Sequence, residues 1–101
     1  MKLLIVTVVE AFEKDILRLF KEAHIESFSG SDIDGYNNPT TMVRTSSWFP
    51  SEKSGVESSL FFSFTEDDNI DVLFKGIKSF NNNLETNNPI KAVVVPIEKS
   101  I

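Results

Sequence analysis

The sequence predicts an α+β domain: a four-stranded antiparallel sheet with two helices on one face, in the order β-α-β-β-α-β. Three observations predict it. Two segments, Ala11–Ala23 and Asp68–Asn82, repeat apolar residues at intervals of three and four, the signature of a helix with one buried face. Two runs, Lys2–Val9 and Ser58–Thr65, carry apolar residues on both faces, as strands in the middle of a sheet do. Two others, Ile25–Tyr36 and Ile90–Ile97, are polar or contain proline and suit the edges. A chain of 101 residues has the length of one domain, so the whole of 1–101 is taken as a single unit.

The first strand, Lys2–Val9, places Leu3, Ile5 and Val9 on one face and Leu4, Val6 and Val8 on the other. The helix Ala11–Ala23 aligns Phe12, Ile16, Leu19, Phe20 and Ala23. Glu10 and Glu13 stand at its start, where the helix dipole favours negative charge, and His24 falls just past its end. The second strand, Ile25–Tyr36, alternates poorly, and Gly30 suggests a bulge. Residues 37–57 show no periodicity and carry turn chemistry at Asn37-Asn38-Pro39, Pro50 and Ser54-Gly55. A loop of this length in a small domain is functional or disordered. The third strand sets Leu60, Phe62 and Phe64 on one face and Phe61 on the other. Glu66-Asp67-Asp68 opens the second helix as caps and dipole partners, with Ile70, Leu73, Phe74, Ile77 and Phe80 facing inward. After an asparagine-rich turn, Asn81–Pro89, Pro96 places the fourth strand at an edge. Right-handed crossovers then put strands one and three in the middle, the ferredoxin-like arrangement.

Composition excludes more than it suggests. The absence of cysteine removes disulfide scaffolds, thiol catalysis and zinc fingers. One histidine, His24, cannot supply a two-histidine metal site within one chain. A net charge of -5 argues against nucleic acid as a partner. The apolar run Leu3–Val9 is too short to span a membrane, which takes roughly 20 residues, and it does not read as a signal peptide; the expected location is the cytoplasm. With both helices on one side, the apolar residues of the central strands on the other side need cover, and a second copy of the chain is the expected cover. The alternative is residues 37–57 folding back through Met42, Trp48 and Phe49.

Ala11-Phe12 at the helix start, Glu22-Ala23-His24-Ile25 at its end and Asp34-Gly35-Tyr36 at the strand exit resemble the nitrogen regulatory PII-like proteins over nearly the whole chain. That family has a Pro-Phe helix start, a Glu-Val-Gly-Ile turn and a Gly-Phe-Gly exit, and residues 37–57 stand where it has its protruding T-loop. The resemblance implies a homotrimer that holds small ligands (ATP, ADP and 2-oxoglutarate in the family) in clefts between subunits. It also implies a protein partner docked on the T-loop, a membrane transporter being one kind, and a regulatory role without catalysis or a cofactor. Ligand contacts then fall on Gly35, Tyr36, Arg44, Lys53 and Lys91, and partner contacts on Met42, Trp48 and Phe49. The family's nucleotide loop is glycine-rich; Thr86-Asn87-Asn88-Pro89-Ile90-Lys91 has no glycine, and only Lys91 matches. Ile97–Ile101 lacks the family's basic phosphate-contacting segment, and no tyrosine lies in residues 37–57. Pro96-Ile97-Glu98-Lys99 resembles divergent members linked to metal efflux and the related trimeric copper-tolerance family CutA, so a metal-responsive trimer is the alternative reading.

Each candidate also has a structural role to weigh. Trp48-Phe49 pairs two large aromatics suited to a binding hot spot, or to packing on its own sheet. Met42 is a flexible contact or a packing residue, and Arg44 and Lys53 are anion contacts or solvated charge. Lys91, Asp32 and Asp34 suit edge strands as charges that block aggregation. A cation at His24 would suit the helix dipole. No metal ligand set and no catalytic residue emerges: Val9-Glu10-Ala11 stands where acylphosphatase-like enzymes carry a phosphate loop.

Overall fold

The computed structural model describes residues 1–36 and 56–101. Strand β1 (Lys2–Val9) leads through a 3-10 turn (Glu10–Phe12) into helix α1 (Glu13–Glu22). Strands β2 (Ser29–Gly35) and β3 (Val56–Thr65), helix α2 (Asp67–Asn82) and strand β4 (Lys91–Pro96) follow. The strand order is β2-β3-β1-β4, with every neighbouring pair antiparallel. This is the predicted ferredoxin-like topology.

Strand alternation divides the side chains between two faces. Leu4, Val6 and Val8 of β1 and Phe61 of β3 turn toward the helices and are buried against Ile16, Leu19 and Phe20 of α1 and Leu73 and Ile77 of α2. Phe20 packs in a triangle of rings, 4.9 Å from Phe28 and 5.7 Å from Phe61, which are 5.7 Å from each other. Gly76 lets the helices approach closely: a Cβ there would lie 3.0 Å from the end of the Leu19 side chain.

The ends of the elements differ from the sequence expectation for identifiable reasons. β2 starts at Ser29, because residues 25–28 find other partners. The Ile25 N–H donates to the Phe20 carbonyl (2.9 Å), and the Ser63 hydroxyl donates to the Ser27 carbonyl (2.6 Å). Gly30 marks no bulge; the register runs unbroken through Gly30 opposite Phe61. Its role is space, since a Cβ would meet the Phe61 ring at 2.7 Å. The acidic start of α2 makes no side-chain capping bond. Glu66 and Asp67 instead pair with the Met1 ammonium (3.5 Å) and the Lys2 ammonium (3.0 Å), tying the start of β1 to the start of α2. These pairs are exposed and contribute little to stability.

Two local devices make measurable predictions. His24 has φ 59°. Its N–H donates to the Lys21 carbonyl (3.1 Å) beside the Ile25–Phe20 bond, which together form a Schellman C-cap. A non-glycine residue in this left-handed conformation costs about 1–2 kcal/mol, of which glycine's greater freedom in the unfolded chain returns part. His24→Gly is therefore expected to raise stability by about 0.5–1 kcal/mol, read as a higher urea midpoint at unchanged slope.

Asn81 closes the turn before β4. Its side-chain amide donates to the Ile90 carbonyl (2.9 Å) and accepts from the Ile90 N–H (3.0 Å), imitating a strand pair. Ile90 is buried, so Asn81→Ala leaves both backbone groups without these partners. The expected loss is about 1–3 kcal/mol by the same urea titration.

Candidate functional site

The antiparallel topology gathers four chain segments at one end of the sheet. Gly35, the last residue of β2, lies opposite Val56, the first of β3. Val9, the last of β1, lies opposite Ser58, and Lys91, the first of β4, lies opposite Thr7. This end therefore carries the attachment points of residues 37–55 and the turn that enters β4. A hollow of ≈ 430 Å³ opens here between Val9, Phe12, Val56, Glu57, Thr86 and Asn88. Within the turn the Asn88 N–H donates to the Thr86 hydroxyl (3.0 Å), so it is engaged by its own loop.

The helix side of the same end is acidic. A second hollow, ≈ 260 Å³, is lined by Glu10, Glu13, Asp32, Asp34 and Glu57 beside Ser58 and Ser59. Asp34 and Glu57 stand directly opposite one another in the ladder. The Ser59 hydroxyl donates to a Glu13 carboxylate oxygen (3.2 Å). Among the described residues, no three acidic or histidine side chains are placed to hold a metal ion.

The open face of the sheet has the opposite character. Among the described residues, Phe62 (40% exposed), Phe64 (56%), Val93 (54%) and Val95 (42%) form an exposed apolar surface with the half-buried Leu3, Ile5 and Leu60. The Phe62 and Phe64 rings meet edge to face at 6.4 Å. Lys91, opposite Thr7, belongs to this face and is exposed.

Gly35, Tyr36 and Lys91 thus share one end of the sheet, with Tyr36 exposed just past β2. They do not meet within one chain. β2 and β4 are opposite edges with β3 and β1 between them, three interstrand steps or about 14 Å apart. The other expected contacts, Met42, Arg44, Trp48, Phe49 and Lys53, lie outside the described residues. The acidic grouping is the feature that sequence reasoning misses. Asp32 and Asp34 are recognisable as sharing a face, and Glu10 and Glu13 as helix-start charges. What joins them is the start of β3 at Val56 rather than Ser58, which brings Glu57 into the ladder.

No known family model matches the sequence, and neither does any curated protein. Solved structures do match. One is CPII, a nitrogen regulatory PII-like protein from Thiomonas intermedia K12 bound to ADP, AMP and bicarbonate. Its TM-score is 0.62 at 10% identity, over 99% of this chain and 94% of that one. CPII bound to ADP, AMP and acetate gives 0.67 at 11% identity, over 95% of this chain and 84% of that one. A Thermus thermophilus protein assigned to PII-like signalling gives 0.58 at 10% identity, over 95% of this chain and 85% of that one. The fold is that of the PII-like proteins. In this chain the turn before β4 carries Thr86 and Asn88 and no glycine, and five carboxylates line the helix-side hollow. No helix among the described residues is long and apolar enough to cross a membrane.

Proposed function

We propose that this chain is a PII-like regulatory protein of the cytoplasm. It assembles as a homotrimer, binds a small ligand in clefts between copies, and engages a protein partner through residues 37–57. The observation that carries this reading is the separation of Gly35 and Tyr36 from Lys91 on opposite sheet edges, flanking a face whose described apolar side chains are exposed. Burying that face between copies lets the β2 edge of one chain approach the β4 edge of the next, and only then do the three residues bound one cleft. Lys91 would meet a negatively charged group, and Tyr36 would pack on a planar one. Arg44 and Lys53 are proposed as further ligand contacts, and Met42, Trp48 and Phe49 as the partner-binding residues, Trp being favoured at hot spots. The nucleotides and bicarbonate bound to CPII define the first ligands to test.

A thermal-shift panel of ADP, AMP, ATP, bicarbonate, 2-oxo acids and divalent metals tests the ligand. A compound present at 100 times its dissociation constant, binding only the folded state, stabilises by about 2.7 kcal/mol. Stabilisation by a nucleotide, bicarbonate or an oxo acid is the expected result; no response to any of them contradicts the ligand assignment. A response to copper or zinc alone would favour the metal-tolerance reading. Lys91→Ala is expected to weaken binding of the responding anion about 10- to 100-fold by titration calorimetry, the range for losing a hydrogen bond to a charged group. The same substitution should leave the urea midpoint of the ligand-free protein in place, because Lys91 is exposed.

A further inference from the structure

We draw no further inference here: the strongest candidate, the acidic hollow at the end of the sheet between Glu10, Glu13, Asp32, Asp34 and Glu57, is a cluster of carboxylates in which the Ser59 hydroxyl is already bonded to Glu13 and nothing else among the described residues points to a ligand.

Discussion

Replacing Phe62 and Phe64 together by aspartate is expected to turn the proposed homotrimer into single chains of 11.4 kDa. Both rings lie on the open face, about half exposed in one chain, and a second copy is the proposed cover. Full burial of a phenylalanine stabilises by about 1.5–3 kcal/mol, so burying the remaining half of each ring contributes about 2 kcal/mol per chain. Over three chains this is about 6 kcal/mol, or roughly four orders of magnitude in the assembly constant. The two carboxylates add repulsion and desolvation on top of that loss. The core on the helix side is untouched, so the variant should keep its far-ultraviolet circular dichroism while its mass falls. A variant that retains the mass of the parent would show that the face is covered some other way.

Phe20→Ala is expected to destabilise the domain by about 3–5 kcal/mol. Phe20 is 1% exposed and is held by the Phe28 and Phe61 rings, so its removal leaves a cavity between α1 and the sheet. Domains of this size are stable by only about 5–15 kcal/mol, and the loss takes a large part of that margin. Urea denaturation should show a much lower midpoint at similar slope. The ring also orders residues 25–28, because Phe28 packs on it. A loss below about 1 kcal/mol would contradict the packing of α1 on the sheet through Phe20.

The fold is legible in the sequence because several local signals agree. The two-sided apolar pattern of Lys2–Val9 places β1 in the centre, and the inward residues of both helices follow the 3.6-residue period. The open face is legible from Leu60, Phe62 and Phe64 alone, since strand alternation puts all three on the side away from Phe61. Other features are not. Gly30 reads as a bulge, but the reason for glycine is the Phe61 ring across the ladder, a contact that local sequence does not display. Ile25–Phe28 reads as strand because the bonds that hold it elsewhere, from Ser63 to Ser27 and from Ile25 to Phe20, leave no periodicity. The sequence therefore misplaces the starts of β2 and β3 by a few residues, and the second of these conceals the position of Glu57.

The candidate site is legible only through the PII-like resemblance, which picks out Gly35, Tyr36 and Lys91. The register puts Gly35 and Lys91 at one end of the sheet, with Tyr36 next in the chain. Their separation on opposite edges follows from the strand order β2-β3-β1-β4. The charge around them depends on register, and register depends on contacts far apart in the chain.

Copies of the chain are proposed to bury the open face of the sheet between them. The mass of the unmodified protein in solution, measured by size-exclusion chromatography with multi-angle light scattering, tests it most directly. Three chains give about 34 kDa, three times the 11.4 kDa of one, and that is the predicted result. A sharp single species at the mass of one chain, persisting as concentration rises, would contradict it.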